Sequence, residues 1–205
     1  MKRLVLKFGG TSVGTIEKIK NVANIIKKRH NEGNEIIVIV SAMSNVTNDL
    51  KKQSSVISKN FDDKELDVLL SSGEQVSSSL LSGAIIDSGL KARSWLGWQI
   101  PIFTDDNYTS SQIMKIKTDG ILSFISDGGI AVIAGFQGIS KDNRITTLGR
   151  GGSDLSAVAV AKFFKTDSCE IYTDVEGVLT TDPSIHKKAK KIDKISYEEM
   201  LEMAS

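Results

Sequence analysis

Apolar residues recur along this chain with two different periods. Leu4 to Phe8 is a short, mainly apolar run stopped by Gly9-Gly10. From Ile16 the spacing becomes helical: Ile16, Ile19, Val22, Ala23 and Ile26 share one face, with Lys18, Lys20, Lys27 and Lys28 elsewhere. Gly33 closes that helix. Ile36 to Val40 is a continuous β-branched run, the pattern of a strand buried on both faces. The opening is therefore strand, glycine turn, helix, strand.

The alternation continues. Asp62 to Ser88 predicts a long helix, opened by Asp62-Asp63-Lys64-Glu65 as a capping box. Lys91 to Trp95 and Gln99 to Phe103 predict short extended segments, and Ser111 to Ile125 a helix. Ile130 to Phe136 predicts a strand, Gln137 to Gly152 a polar loop, Ser153 to Phe164 an apolar helix and Cys169 to Thr173 a strand. Ser196-Tyr197-Glu198-Glu199 is a capping box for one more helix. Strands alternating with helices predict an α/β fold with a mostly parallel sheet. The last helix begins about two turns before Ser205, and such a short terminal helix has little support. The expectation is a polypeptide that continues downstream.

Composition narrows the class. With 26 Lys+Arg against 25 Asp+Glu the net charge is +1, without the basic excess of a nucleic-acid binder. Hydrophobic residues at 40% and charged residues at 25% of 205 suit a folded domain with a sizeable core. One cysteine, Cys169, excludes an internal disulfide and a multi-cysteine zinc site, and suggests a cytoplasmic setting. The longest apolar runs fall well short of the ~20 residues that span a bilayer. Lys7 and Gly9 interrupt the first apolar stretch, so no signal peptide is expected there.

In open parallel sheets, ligands bind beyond the carboxyl ends of the strands. Gly9-Gly10, Ser41-Ala42-Met43-Ser44, Gly135 and Gly138 fall at such ends. Lys7-Phe8-Gly9-Gly10-Thr11-Ser12 adds a cation to a glycine turn that can present N–H groups to an anion. It is not a Walker A loop, because the lysine precedes the glycines. The plainer alternative is a tight turn with a solvated lysine. Thr147-Leu148-Gly149-Arg150-Gly151-Gly152-Ser153-Asp154 sets an arginine among three glycines at a helix start, which suits an anion. Asp154 could equally cap that helix beside Ser153 or complement its dipole. Thr173-Asp174-Val175-Glu176-Gly177-Val178 and Thr180-Thr181-Asp182-Pro183 supply hydroxyls and carboxylates after the last strand, or form a polar surface loop. His30 and His186 have no motif around them, and Trp95-Leu96-Gly97-Trp98 suits packing.

Taken together, these clusters resemble the kinase domain of the bacterial aspartate kinases, of the monofunctional type, in the amino acid kinase family. The likeness is carried by Lys7–Ser12, Val40-Ser41-Ala42-Met43, Ser72-Gly73-Glu74, Lys91–Trp98, Thr146–Asp154 and Thr173-Asp174-Val175. It implies a three-layer αβα sandwich of the carbamate kinase-like type. Residues 1–205 would form one amino acid kinase domain, C-terminally incomplete, without the two regulatory ACT domains. It implies transfer of the γ-phosphoryl of ATP to the β-carboxylate of L-aspartate, the entry to lysine, threonine, methionine and diaminopimelate synthesis, with Mg²⁺ as cofactor and a homo-oligomeric assembly. Lys7 would meet the transferring phosphoryl and Asp154 would orient it. Ser41, Thr47, Glu74, Arg150, Gly152 and Ser153 would hold aspartate, Arg150 at its α-carboxylate and Glu74 near its ammonium. Gly9, Gly10, Ser12, Thr173, Asp174, Leu179 and Asp182 would serve the nucleotide, and no residue is assigned to metal. Leu179 stands where the family more often has an aromatic, and Ser184 where it often has arginine. Glutamate 5-kinase, acetylglutamate kinase or uridylate kinase activity, and a non-catalytic ligand-binding fragment, are the alternatives.

Overall fold

The computed structural model describes residues 1–175, 177–182 and 184–203. The chain divides into two compact units, 1–172 and 173–205. In the first, β1 (Arg3–Phe8), α1 (Ile16–Asn31), β2 (Glu35–Val40), α2 (Val46–Ile57) and α3 (Asp63–Asp87) come first. Then follow β3 (Ala92–Trp95), β4 (Ile102–Thr104), β5 (Ile113–Ile116), α4 (Asp119–Ser126), β6 (Ile130–Ala134), β7 (Gln137–Ile139), β8 (Ile145–Thr147), α5 (Gly152–Phe163) and β9 (Ser168–Tyr172). The central sheet has the order β3-β6-β2-β1-β9, and every pairing in it is parallel.

Period-two alternation sorts this sheet's side chains into two cores. Leu4, Leu6 and Phe8 with Ile36, Val38 and Val40 face Ile19, Val22, Ala23 and Ile26 of α1 and Leu81 and Ile85 of α3. Val5, Ile37 and Ile39 face the other way, onto Ile121 and Ile125 of α4 and Ala157, Val160 and Phe164 of α5 and its C-terminus. Helices thus cover both faces, which is the three-layer arrangement expected. Each fully buried aliphatic contributes roughly 1.5–3 kcal/mol. Thr15 caps α1 by accepting from Lys18 N at 3.2 Å, and Gly33 ends it at φ +84°.

The structure corrects three expectations. Residues 111–125 are not one helix: 113–116 form β5, antiparallel to β4, and only 119–126 are helical. Ile113, Ile116, Ile121 and Ile125 imitate helical spacing across this junction, although the first two belong to a strand. Residues 137–152 are not all loop: β7 and β8 form an antiparallel hairpin within the four-stranded sheet β5-β4-β7-β8. These strands are three residues each and rich in Gln and Thr, so hydrophobic alternation could not reveal them. Helix α2 was unanticipated; Ser54 is its only fully buried residue, so it lacks an apolar stripe. The other boundaries move by a few residues.

Asp62 does cap α3, accepting from Lys64 N and Glu65 N, whereas the Glu65 carboxylate pairs with Arg144 instead of closing the box. In the interior of α3, Gly73 permits close contact with the turn after β2. A Cβ there would stand 2.8 Å from Ala42 Cβ, whereas one on Gly83 would meet nothing within 4 Å. The second unit, by itself, holds an antiparallel bridge between Leu179 and Lys191 and helix α6 (Tyr197–Met203). Ser196 and Glu199 form the anticipated capping box there, with bonds of 2.8 and 3.2 Å. Glu176 and Pro183 of the Thr173–Pro183 segment lie outside the described residues.

The two glycines of α3 make a matched test. Gly83→Ala should raise stability by about 0.5–1 kcal/mol through helix propensity, while Gly73→Ala should lower it by about 1–3 kcal/mol through overpacking. Urea unfolding of both variants reads the two signs directly; a gain in both would show that the Ala42 contact yields.

Candidate active site

Lys7 belongs to the parity class of Val5, so it faces α5 at the carboxyl end of β1. On α5, Asp154, Ala157 and Val160 recur at three-residue intervals, which makes Asp154 the polar end of a buried stripe. The two meet: Lys7 Nζ lies 2.7 Å from Asp154 Oδ1, with side chains 10% and 49% exposed. Oδ1 accepts no aligned hydrogen bond, so the contact is a charge pair. Asp154 makes no cap bond to its helix. Gly9 follows on the same turn, where a Cβ would stand 3.5 Å from Lys7 Nζ. A Cβ on Gly10 would approach Ala42 O to 2.8 Å, so that turn and the turn after β2 are in backbone contact. Ser12 N closes the first turn onto Gly9 O at 3.0 Å.

The facing wall comes from the β2 turn and α3. Ser77 Oγ donates to Ser41 O at 2.8 Å, and Ala42 N donates to Glu74 Oε1 at 3.0 Å. Glu74 Oε2 is buried without a hydrogen-bond partner among the described residues. Burial pushes the Glu74 carboxyl up to about 7, against the opposing pull of its bond from Ala42 N. The close approach at Gly73 is what brings this carboxylate to the turn.

These walls enclose a cavity of about 250 Å³, lined by Lys7, Ser41, Thr47, Glu74, Gly152, Ser153 and Asp154, with Ala42, Phe136, Gly149 and Gly151. That size falls just under the roughly 300–1,000 Å³ of drug-sized pockets and suits a small metabolite. Seven of the residues expected to act on substrate or phosphoryl through their side chains or the α5 terminus are therefore together: Lys7, Ser41, Thr47, Glu74, Gly152, Ser153 and Asp154. Arg150 is exposed on the adjoining loop, and its side chain is not part of the lining, although its neighbours Gly149 and Gly151 are.

Phe136 escaped the sequence reading. It follows β6 with φ +68°, an uncommon conformation for a bulky residue, held by Ser156 Oγ on its N–H at 2.9 Å and Leu148 N on its carbonyl at 2.9 Å. A Cβ on Gly152 would stand 2.6 Å from its ring. Only the position of Gly135-Phe136 at a strand's carboxyl end could have signalled it.

The residues expected on the nucleotide side, Thr173, Asp174, Leu179 and Asp182, lie in the second unit. Thr173 Oγ1 donates to Asp174 Oδ1 at 3.3 Å. Ser184 donates through both its N–H and its hydroxyl to Asp182 Oδ1, at 2.7 and 2.6 Å, which holds that carboxyl below its usual range. Among the described residues no group of three or more His, Cys, Asp or Glu could hold a metal ion, and no helix is long and apolar enough to cross a membrane.

A parallel sheet with glycine turns, an ion-paired lysine and a helix N-terminus around one cavity is a site built for anions. Residues 2–205 match the amino acid kinase family, and the chain belongs to it. It is 50% identical to an aspartate kinase of Stutzerimonas stutzeri over 205 residues, 100% of this chain and 50% of that protein. The chain spans about half the length of the curated relatives it matches. Among solved structures, the aspartate kinase from Synechocystis aligns with a TM-score of 0.87 at 45% identity, over 98% of this chain and 33% of that one. The E. coli aspartokinase III complex with aspartate and ADP aligns at 0.86 and 25% identity, over 99% and 56%.

Glu74 gives the fold a pH signature. Its carboxyl ionises near 4.5 in the unfolded chain and near 7 in the folded one. The unfolded state therefore sheds its proton first, and this group's contribution, full below 4.5, is lost as pH rises through about 7. The loss is about 3 kcal/mol. Glu74→Gln should remove it, so the stability difference between variant and wild type should change between pH 5 and pH 8 in urea melts. A constant difference would contradict the burial argument.

Proposed function

We propose that the protein is an ATP-dependent phosphotransferase with a carboxyl acceptor: an aspartate kinase that transfers the γ-phosphoryl of ATP to the β-carboxylate of L-aspartate, giving 4-phospho-L-aspartate and ADP. The observation that carries this reading is one small cavity with the Lys7–Asp154 pair on one wall and the unpartnered oxygen of Glu74 on another. An α-amino acid offers an ammonium to Glu74 and a carboxylate toward Lys7. The 50% identical relative named aspartate kinase, and the aspartate and ADP of the E. coli complex, support the same choice.

The chemistry is consistent. A β-carboxylate with a reference pKa of ~3.9 is ionised at neutral pH and needs no general base; no histidine is among the residues lining the cavity. The obstacle is repulsion between two anions, roughly 4 kcal/mol for unit charges 4 Å apart at an effective dielectric of about 20. Lys7 offsets it at the transferring phosphoryl, and Asp154 keeps the ammonium aimed there. Gly9, Gly10 and Ser12 offer the turn around the phosphates. Ser41, Thr47, Gly152 and Ser153 surround the aspartate, and Arg150, on its flexible side chain, takes the α-carboxylate from the adjoining loop. Thr173, Asp174, Leu179 and Asp182 take the nucleotide. Mg²⁺ fits as an ion held mainly by phosphate oxygens and water, since Asp154 is committed to Lys7. When bound, it would neutralise phosphate charge. The setting is cytoplasmic amino-acid biosynthesis, in a homo-oligomer.

ADP release measured with L-aspartate, L-glutamate, acetylglutamate and UMP should favour L-aspartate; preference for another acceptor would reject the substrate. Lys7→Met should lower turnover by roughly 10²–10³-fold or more, because a donor to the transition state is lost. Near-normal turnover in a folded Lys7→Met protein would remove Lys7 from the mechanism.

A further inference from the structure

Asp67 is a buried carboxylate that the chemistry above leaves unused. It is 0% exposed on α3, and it has no ion-pair partner among the described residues. Thr147 donates to it twice, through its N–H to Oδ2 at 2.9 Å and its hydroxyl to Oδ1 at 2.5 Å. Thr109 N donates to both oxygens, at 3.1 and 3.0 Å. A charge buried without a cation is costly, and packing alone could be met by an apolar side chain. The carboxylate's distinctive capacity is to accept from several N–H and O–H groups at once.

The groups it gathers are informative. Thr147 ends β8 and leads straight into the loop of Gly149, Arg150 and Gly151. Thr109 sits at φ +63°, a strained conformation for a β-branched residue. Its carbonyl lies 3.1 Å from where a Cβ on Gly149 would be. Ser111 N donates to Thr147 O at 2.9 Å, joining the two segments again. Asp67 stands seven residues, about 10 Å, before Glu74 on the same face of α3. One helix therefore carries a wall of the cavity and anchors the loop that forms the opposite wall.

We infer that Asp67 is a positioning residue for the substrate amino acid: by clamping Thr109 and Thr147 it seats the 148–151 loop, and with it Arg150, at a set distance from Glu74. The kinetic part rests on the aspartate kinase reading; the structural part does not. Asp67→Asn keeps the shape but turns an NH₂ toward N–H donors. It should raise KM for L-aspartate about tenfold or more, leave kcat within about threefold and KM for Mg-ATP within about twofold. Amide exchange at 149–153 should accelerate at least tenfold while β1 and β2 stay protected. Thr147→Val, which loses only the hydroxyl bond, should move the same readouts less, and Thr147→Ser should restore them. Unchanged loop exchange and aspartate KM in Asp67→Asn, or exchange that rises equally across the sheet, would overturn the inference. Should Asp67→Asn not fold, Thr147→Val against Thr147→Ser decides by the same criteria. If the wild-type protein releases no ADP with L-aspartate, the kinase reading fails, and loop exchange still decides the role of Asp67.

Discussion

The ion pair between Lys7 and Asp154 is the constraint around which the first unit is arranged. A buried ammonium at the end of a central strand is tolerable only with an anion beside it. The sheet's alternation leaves one face on which that anion can lie, and α5 occupies it. The same helix buries Ala157 and Val160 against Val5 and Ile37, so its apolar stripe fixes where its first turn ends up. Packing of the core and aim of the ammonium are thus one problem with one solution. A bound phosphoryl group would meet a cation already oriented, with little reorganisation left to make.

Much of this was written in the hydrophobic pattern. The central strands are buried on both faces, and such strands read as unbroken apolar runs, which is why Ile36–Val40 and Ile130–Ala134 could be located without coordinates. Lys7 and the glycines after it stood out because a cation and two flexible residues interrupt such a run. What stayed hidden is held by polar contacts. The hairpin of β7 and β8 buries Gln137, Thr146 and Thr147, whose side chains are satisfied by partners far away in sequence. No local period records a hydrogen bond across 80 residues, such as the one from Thr147 to Asp67.

Asp67 itself was disguised by its surroundings. It follows Asp62, Asp63 and Glu65 at the start of a helix, where acidic residues are ordinary complements of the dipole. Only burial separates it from them. Phe136 was hidden differently: its identity is that of a core residue, and its left-handed backbone has no signature in an aromatic side chain. Glu74, by contrast, could be singled out from the Ser72-Gly73-Glu74 likeness, and the contact between Gly73 and Ala42 supplies the physical reason for its neighbour.

The solitary oxygen of Glu74 makes the cavity a proton donor as well as a receptor. Near neutrality a sizeable fraction of these carboxyls still carries its hydrogen. A cationic guest seated against Oε2 would drive that hydrogen into the solvent, so occupancy and acidification of the medium become linked. The heat of association should then vary with the ionisation enthalpy of the buffer, while a guest without a positive group would give the same heat in every buffer.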